Sequence, residues 1–322
     1  SLKNPFIIPG IRNIKIDAQL NASYSFENFL EGESNRLARS AGQAVANKPG
    51  GTSFNPLLIF GNVGLGKTHL LHAIGVDIKE KHADKTILYI SAEKFTQQYI
   101  ESVKNNTRND FIHFYQLIDV LLIDDVQFLA GKSGTQDVFF HIFNHLHQNG
   151  KQVILTSDKA PVDMQDIEQR LLSRFKWGLS AELSPPDYHT RVSILKNKLY
   201  LDGMTMPEEI IDYIAQNIKS NIRELEGAII SLIAQASFNK KEINLELAQQ
   251  VVDKFVKNTK KEVSIEYIQK MVADYFEMDL DTLQSKTRKR HIVQARQLAM
   301  YFAKRYTKAS LASIGSQIGK RD

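Results

Sequence analysis

The sequence predicts an α/β protein, in which a parallel five-stranded sheet carries helices on both faces and is followed by regions that are helical throughout. Short apolar runs alternate with helix-like segments before Pro185. Nearly continuous apolar strands of this kind are typical of parallel sheets buried on both faces. After Pro185 and Pro186 only helical periodicity remains. The five predicted strands cover residues 57–60, 87–90, 120–123, 153–155 and 178–183.

Composition indicates a globular protein. The chain has 322 residues, 43% hydrophobic and 24% charged, which is enough for two or three domains. It contains no cysteine, so disulfides and thiolate metal sites are excluded and a reducing compartment is favoured. No apolar run reaches the roughly 18 residues of a membrane span, and the first residues lack a secretory signal pattern. We therefore expect a soluble cytoplasmic protein.

Four regions are predicted along the chain. Residues 1–20 form an extended or poorly ordered arm, and residues 21–184 hold the sheet. Residues 185–256 form a small helical domain. Residues 257–322 begin with a polar linker and continue as a last helical region.

A glycine-rich stretch joins the first strand to a helix. It matches the pattern G-x-x-x-x-G-K-[ST], in which backbone N–H groups, a helix N-terminus and a lysine surround phosphate. Lys67 supplies the full positive charge, and Thr68 offers its hydroxyl to Mg²⁺. An ordinary glycine-rich turn is the alternative. The predicted nucleotide-binding set is Gly61, Asn62, Val63, Gly64, Leu65, Gly66, Lys67, Thr68 and the adjacent His69.

Acidic residues end two further strands. Asp124 and Asp125 follow the run 120–123, which predicts Asp124 as the Mg²⁺ carboxylate and Asp125 as the group that orients or deprotonates water. Capping of a turn is the alternative role for Asp124. A third strand ends at the same edge in polar residues, of which Asp158, Thr156 or Ser157 would sense the γ-phosphate or position water. Capping of the next segment is the alternative.

Three arginines stand in unusual places. Arg170 and Arg174 share one helical face, either solvated and paired with Glu168 or Asp166, or reaching a phosphate bound to a neighbouring subunit. Arg223 falls in the first turn of a helix capped at Ser220 and Asn221, where the macrodipole disfavours a cation. A bound phosphate or a pair with Glu226 would each resolve that conflict. The three candidate phosphate-contacting arginines are therefore Arg170, Arg174 and Arg223.

The C-terminal stretch is basic and amphipathic. Nothing acidic lies between Asp281 and Asp322. One helical stripe is predicted to face the core, formed by Ile292, Ala295, Ala299, Phe302 and Tyr306. The predicted outward residues are Arg296, Gln297, Lys304 and Arg305.

A short helix follows this amphipathic one. Ser310 is its predicted cap and Gly319 its end, with Leu311, Ile314 and Ile318 inside. Two helices joined by a turn, with a basic loop upstream, suit a helix-turn-helix on duplex DNA. A solvated charged face is the alternative. The basic loop residues are Arg288, Lys289 and Arg290.

In their order along the chain, these motifs resemble the bacterial chromosomal replication initiator family DnaA, a branch of the AAA+ ATPases. The resemblance runs from about Asn21 to Asp322. It implies a P-loop AAA+ core, a helical lid and a helix-turn-helix domain. The motifs that carry it are the phosphate loop, residues 122–129, 156–158, 170–175, 185–186 and 221–227.

The resemblance also implies roles for individual residues. Lys67 and Thr68 would form Walker A, Asp124 and Asp125 Walker B, and Asp158 sensor 1. Arg174 would be the arginine finger with Arg170 in the same box, and Arg223 would be sensor 2. The implied ligands are ATP or ADP with Mg²⁺. Asp125 is shorter than the glutamate typical of AAA+ proteins, which is compatible with slow turnover.

DNA contacts are implied in two places. A two-helix insertion between Ile90 and Phe114 would line a channel for single-stranded DNA, with Ile100 near its tip and Lys132 nearby. Gly134 stands where a second basic channel residue is expected, and Lys104 and Arg108 are the candidate substitutes. On duplex DNA, Arg288 would enter the minor groove, with Lys289 and Arg290 in the same loop, and Arg296 and Gln297 would contact phosphate.

In the family, the recognition helix begins just beyond Asp322 and a partner-recruiting domain precedes the arm. We therefore expect a fragment that binds nucleotide and lacks most direct base readout.

The expected function is that of a slowly hydrolysing replication initiator. It would bind duplex origin DNA and single-stranded DNA, and assemble head to tail through Arg174 when ATP is bound. A replicative helicase and acidic phospholipid are further implied partners. The alternatives are an AAA+ helicase or clamp loader, and an ATP-responsive transcription regulator.

Overall fold

The computed structural model describes residues 16–239, 242–259, 264–285, 287–307 and 309–318. It contains two compact units, Ser1–Phe255 and Val256–Asp322. Most of the predicted arm, part of the predicted linker and Gly319 lie outside the described residues. The finer division into arm, core and lid remains a prediction.

The first unit contains one parallel sheet. Its strands are Leu57–Phe60 (β1), Ile87–Ser91 (β2), Val120–Asp124 (β3), Gln152–Ser157 (β4) and Leu179–Glu182 (β5). They are hydrogen-bonded in the order β2-β3-β4-β1-β5, and all pairs are parallel. Each strand overlaps one of the five predicted runs, so the predicted sheet is confirmed.

The order places β4 between β1 and β3. Phe60 of β1 pairs with Ser157 of β4, and Ile123 of β3 pairs with Leu155 of β4. Because the carboxyl ends of parallel strands meet at one edge, the residues after Phe60, Ile123 and Leu155 lie side by side.

Helices cover both faces of this sheet. Their bounds are Arg36–Asn47 (α1), Lys67–Lys81 (α2), Ala92–Lys104 (α3), Arg108–Gln116 (α4), Ser133–Gln148 (α5) and Gln169–Phe175 (α6). Side chains alternate between faces along a strand. In β1, Leu57 and Ile59 join a buried cluster with α1 and α2, whereas Leu58 joins a cluster with α3 to α6. The doubly covered sheet is therefore confirmed.

After β5 the described part of the first unit is helical. The helices are Tyr188–Leu201 (α7), Glu208–Asn217 (α8), Ile222–Asn239 (α9) and Leu245–Thr259 (α10), the last of which crosses the boundary between the units. The Asp187 side chain caps α7 by accepting a hydrogen bond from the Thr190 N–H. Leu195, Ile214 and Leu225 are buried among these helices. No helix in the described ranges is long and apolar enough to cross a membrane.

The second unit is a small helical bundle. Its helices are Ile265–Tyr275 (α11), Leu280–Gln284 (α12), Arg290–Tyr306 (α13) and Leu311–Gln317 (α14). Ile292, Ala295 and Ala299 are buried as predicted, and so are Ile314 and Ile318. The predicted cap of α14 is also confirmed, since the Ser310 hydroxyl accepts a hydrogen bond from the Ser313 N–H.

Two predicted core positions of this unit are wrong. Tyr306 is 56% exposed at the end of α13, because the buried stripe continues from Ala299 to Ala303 at helical spacing. Leu311 is 67% exposed, whereas Ile314 and Ile318 of the same segment face the core. Phe302 is partly buried against the core.

Arg296 is the main correction in the second unit. We predicted it on the outer face of α13, but it is only 3% exposed. Its guanidinium donates hydrogen bonds to the carbonyl oxygens of Leu283 at 2.9 Å and Thr287 at 3.0 Å. The long side chain therefore folds back from the border of the apolar stripe and holds the segment between α12 and α13. This placement removes Arg296 from the candidate phosphate contacts.

Replacement of Arg296 with alanine should destabilise the second unit. The buried carbonyl oxygen of Leu283 and the partly buried one of Thr287 would lose their donor, which costs about 1–3 kcal/mol of unfolding free energy. Denaturant unfolding followed by circular dichroism would measure the change. Gln297→Ala is the matched control, since Gln297 is the exposed neighbour and should change stability by less than about 0.5 kcal/mol. Equal stability of the two variants would contradict a structural role for Arg296.

Candidate functional site

The glycine-rich loop leaves β1 and enters α2 in a backbone conformation that favours glycine. Gly61 has φ 151° and Gly64 has φ 78°. A Cβ on Gly61 would lie 2.2 Å from the Leu183 carbonyl oxygen, so the loop passes directly against the chain after β5. Leu65 is buried in the core, whereas Val63 is 57% exposed. The loop is thus packed against the core through Leu65 and exposed to solvent at Val63.

Lys67 lies at the centre of this loop and is only 6% exposed. Its ammonium group donates hydrogen bonds to the carbonyl oxygens of Gly61 at 2.8 Å and Asn62 at 2.9 Å. It also forms an ion pair with Asp158 Oδ1 at 2.8 Å. The buried charge is therefore compensated by two carbonyl dipoles and one carboxylate.

Asp124 is the centre of a second, buried network. Thr68 Oγ1 donates to Asp124 Oδ2 at 2.8 Å, and the Tyr89 hydroxyl donates to the same oxygen at 3.0 Å. Thr156 Oγ1 donates to the other oxygen. Burial and the Asp124 carboxylate raise the pKa of Tyr89 well above its usual range, so its hydroxyl stays a donor. These contacts hold the predicted Walker A threonine and Walker B aspartate together.

Asp125 and Asp158 are joined by an amide that the sequence analysis did not single out. Gln127 Nε2 donates to Asp125 Oδ1 and to Asp158 Oδ2, each at 3.0 Å. Asp125 has φ 58°, and its N–H donates to Thr156 Oγ1 at 2.8 Å. Burial raises the pKa of the Asp125 carboxyl, and the hydrogen bond from Gln127 opposes that rise.

The helix α9 contacts the loop with its N-terminus. The Ile222 N–H donates to the Gly64 carbonyl oxygen at 2.9 Å, and Asn221 caps the helix by accepting from the Glu224 N–H at 2.8 Å. Arg223 therefore stands in the first helical turn, as predicted. It is exposed, and within the described ranges no carboxylate lies within 4.0 Å of its guanidinium.

These groups surround one cavity of about 310 Å³, within the range of about 300–1,000 Å³ that is typical of ligand sites. The predicted residues Lys67, Thr68 and Asp125 line it, and so do Asp158 and Arg223. The remaining lining residues are Tyr24, Val63, Gly64, Gly66, His69, Phe128, Ile222 and Glu226.

A second cavity of about 270 Å³ shares His69 with the first. His69 Nε2 is 2.8 Å from Asn28 Oδ1 and 3.1 Å from the Ser25 carbonyl oxygen, and its ring lies 4.8 Å from that of Tyr24. Burial lowers the pKa of His69, which favours the neutral ring. Sequence reasoning missed this cavity, because its walls come from distant segments. They include Tyr24, Asn28, Phe29, Leu30, Ile194, Lys198, Leu201 and Ile222.

Arg170 and Arg174 lie on α6 and are not among the residues that line the first cavity. Arg170 pairs with Glu168 Oε2 at 2.6 Å and Asp137 Oδ1 at 2.9 Å, which matches the predicted solvated pairing with Glu168. Arg174 instead stacks on an aromatic ring, with its Cζ 4.7 Å from the centroid of Trp177. The described part of the chain places no carboxylate within 4.0 Å of Arg174.

The predicted two-helix segment is present as α3 and α4, between β2 and β3. Ile100 on α3 is 46% exposed, and Lys132 directly precedes α5. A Cβ on Gly134 would lie 3.8 Å from the Tyr99 ring, so α3 passes close to the start of α5. Arg108 pairs with Asp137 at 3.7 Å, whereas Lys104 is exposed.

The basic loop of the second unit is accessible. Arg288, Lys289 and Arg290 are all exposed immediately before or at the start of α13, and Gln297 is exposed on that helix. These four residues remain candidates for DNA contact.

The sheet order, the phosphate loop, the two acids at the end of β3 and the helices over the loop define a P-loop ATPase of the AAA+ class. Residues 20–182 match the model of the bacterial DnaA ATPase domain, and residues 265–322 match that of the bacterial DnaA protein helix-turn-helix. The chain therefore belongs to the bacterial DnaA family.

Comparisons with individual proteins support the same family assignment. The chain is 83% identical over 321 residues to the chromosomal replication initiator protein DnaA of Flavobacterium psychrophilum, covering 100% of this chain and 67% of the relative. Domain III of the Thermotoga maritima replication initiation protein DnaA is 44% identical, with a TM-score of 0.71 over 74% of this chain and 99% of that one. A replication initiator DnaA bound to AMPPCP and single-stranded DNA is 37% identical, with a TM-score of 0.64 over 94% of this chain and 89% of that one. The chain spans about two thirds of the length of the curated relatives it matches.

Replacement of Gly64 with alanine should weaken ATP binding. At φ 78° an alanine is strained, and its Cβ would lie 2.8 Å from Asn221 Oδ1 at the cap of α9. The clash would push the start of α9, and with it Arg223, away from the cavity, and the loss of about 1–3 kcal/mol of binding free energy corresponds to a roughly 5- to 150-fold loss of affinity, which calorimetric titration with ATP would measure.

Gly131→Ala is the matched control for this variant. Gly131 has φ 72°, but a Cβ there would meet nothing within 4 Å. It imposes the same backbone strain outside the cavity and should leave ATP affinity unchanged. If both variants bind ATP equally well, the contact between Gly64 and α9 has no part in nucleotide binding.

Proposed function

We propose that this chain binds ATP, hydrolyses it slowly, and uses the bound nucleotide to control its assembly on DNA at a replication origin. The observation that carries the proposal is the single cavity shared by Lys67 of the loop, Asp158 at the end of β4 and Arg223 of α9. These groups belong to three separate elements, so one triphosphate can be read by the sheet domain and the lid together.

We infer that the phosphates take the place of Asp158 beside Lys67. The Lys67 ammonium already sits within the loop, and a phosphate is a stronger anionic partner than one carboxylate. Asp158 would then be free to sense the γ-phosphate, and Arg223 would approach it from α9. Asp125 would orient or deprotonate the attacking water, and its short side chain favours slow turnover.

Mg²⁺ fits the donor set at the loop. Thr68 Oγ1 and the Asp124 carboxylate are hard oxygen donors that already contact each other. The described residues contain no group of three or more His, Cys, Asp or Glu that could hold a metal by themselves. This suits an ion that keeps several waters and is bound mainly through substrate phosphates, where it would neutralise negative charge.

The second cavity is our candidate for the nucleotide base. It opens beside His69 and is walled by aromatic Tyr24 and Phe29 and by the amide of Asn28. A flat heteroaromatic ring can stack on such side chains and hydrogen-bond to an amide. ADP would fill both cavities as ATP does, except for the γ-phosphate position.

We propose Arg174 as an arginine finger for a nucleotide bound to a neighbouring copy. Arg170 is neutralised by Asp137 and Glu168, whereas Arg174 rests on the exposed ring of Trp177. A cation held on an aromatic face keeps its N–H groups available for a phosphate. Head-to-tail contacts of this kind build an open helical assembly when their rotation does not close.

We propose two DNA-binding surfaces. Ile100 and Lys132, with Lys104 as the basic substitute for Gly134, would contact single-stranded DNA, as a relative's structure contains that ligand. Arg288, Lys289, Arg290 and Gln297 would contact duplex origin DNA. We also propose that the protein promotes duplex opening and is located in the cytoplasm. Its further proposed partners are a replicative helicase and acidic phospholipid.

Two alternatives differ in the use of DNA. A helicase or clamp loader turns over repeatedly and does not require the second unit to stay on duplex DNA. An ATP-responsive transcription regulator requires the second unit but does not separate strands. The exposed basic loop before α13 favours the initiator and the regulator over the motor.

Lys67→Ala should abolish ATP binding, because it removes the charge that faces the phosphates from within the loop. Calorimetric titration with ATP would measure the loss. Lys79→Ala, at the far end of the same helix, should bind ATP normally. Retained affinity in Lys67→Ala would refute the phosphate-loop role.

Arg174→Ala should keep ATP affinity but lose ATP-dependent assembly, because the finger acts on the neighbour's nucleotide. Sedimentation velocity with ATP and then with ADP would test this. Trp177 is the one tryptophan of the sequence, so its fluorescence reports the same surface. Lys176→Ala, a change at an exposed neighbour of Arg174, should assemble normally. Oligomers of normal size in Arg174→Ala would count against a finger in trans.

A further inference from the structure

Gln127 makes three hydrogen bonds between the two acids of the cavity. It lies in the short 3₁₀ turn Val126–Leu129 that follows Asp125. Its Nε2 donates to Asp125 Oδ1 and Asp158 Oδ2, each at 3.0 Å, and its Oε1 accepts from the Asp158 N–H at 3.3 Å. One amide therefore connects the end of β3 to the end of β4.

The two oxygens of Asp158 have different partners. Oδ1 pairs with Lys67 at 2.8 Å, and Oδ2 accepts from Gln127 at 3.0 Å. When phosphates occupy the loop, Lys67 faces them instead. Among the side chains in the described part of the chain, Gln127 is then the one that still hydrogen-bonds to Asp158.

Asp125 depends on Gln127 in a similar way. The hydrogen bond from its N–H to Thr156 Oγ1 holds the backbone, which has φ 58°. That bond does not restrain the side-chain torsions of Asp125. Gln127 fixes the carboxylate through Oδ1. The second oxygen of Asp125 remains available to a water molecule in the cavity.

We propose that Gln127 is a positioning residue, which sets the orientation of Asp125 and Asp158 relative to each other during ATP hydrolysis. It acts through the two acids and does not itself contact the phosphates. This inference rests on the proposed function, in which Asp125 acts on water and Asp158 senses the γ-phosphate.

The chemistry of an amide fits this position. Two carboxylates that face each other need a neutral group with two N–H donors, and glutamine supplies both from one nitrogen. A glutamate would add a third negative charge and remove both donors. A leucine keeps a similar volume but has no donor, so the acids would lose their common restraint.

The test compares Gln127→Leu with Gln148→Leu, a matched control at the exposed end of α5. We would measure ATP and ADP affinity by calorimetry, single-turnover hydrolysis with excess protein, and the thermal midpoint. Gln127→Leu should lower the hydrolysis rate by at least about tenfold, because misplaced catalytic groups lose their geometric advantage. Affinities for ATP and ADP should stay within about threefold, because Lys67 and the loop remain. Gln148→Leu should match the parent chain in every measurement.

A second variant separates positioning from a structural role. In an Asp158→Asn background, Gln127→Leu should lower the hydrolysis rate by clearly less than it does alone, because part of its effect passes through Asp158.

Gln127→Glu has nearly the same shape as the parent side chain. It should lower the hydrolysis rate as Gln127→Leu does, and it provides the test if the leucine variant does not fold.

Two results would overturn the inference. One is an unchanged hydrolysis rate in Gln127→Leu and Gln127→Glu. The other is a parallel fall of affinity, thermal midpoint and rate, which would show that Gln127 only supports the fold. Failure of the parent chain to bind or hydrolyse ATP would instead refute the proposed function.

Discussion

The buried ammonium group of Lys67 is the constraint on which the site depends. A charge that is 6% exposed must be compensated locally, because its desolvation costs several kcal/mol. The loop carbonyls of Gly61 and Asn62 supply dipoles, and Asp158 supplies the opposite charge. Any anion that enters the cavity competes with that carboxylate for the same cation. Phosphate binding at this loop would therefore be linked by electrostatics to the position of Asp158.

The strand order makes this competition possible. Because β4 lies between β1 and β3, the carboxylate of Asp158 lies between the loop lysine and the acids at the end of β3. Thr156 lies on β4 two residues before Asp158, and its hydroxyl donates to Asp124 and accepts from the Asp125 N–H. β4 thus contains the residue that fixes the acids and is followed directly by the residue that pairs with the cation. Gln127 closes the arrangement from the side of β3.

Local patterns in the sequence predicted the elements whose determinants are contiguous. The strands, the loop, the acids at strand ends and the caps at Asn221 and Ser310 all follow from neighbouring residues, and the structure contains each of them. The second cavity could not be predicted, since residues near 24–30 meet residues near 194–201 only through the fold. Arg296 was misplaced because charge suggested an outward position, whereas its stem packs inward and its head finds two carbonyl oxygens. Gln127 lies in the motif 122–129, but its role between the two acids could not be predicted, because a single glutamine in a turn has no spacing to recognise.

The contact between α9 and the loop has an electrostatic consequence. Helices α2 and α9 both begin at the cavity, one directly after the loop that follows β1 and one among the helices after β5. Each N-terminus carries roughly half a positive charge, and Glu224 offsets only part of it on α9. The two positive helix ends face the same cavity, and the hydrogen bond from the Ile222 N–H to the Gly64 carbonyl oxygen joins α9 to the loop from which α2 begins. A polyanion bound between them would attract both helix ends at once. A bound nucleotide would therefore hold α9 against the loop, and this attraction would weaken when the terminal phosphate is lost.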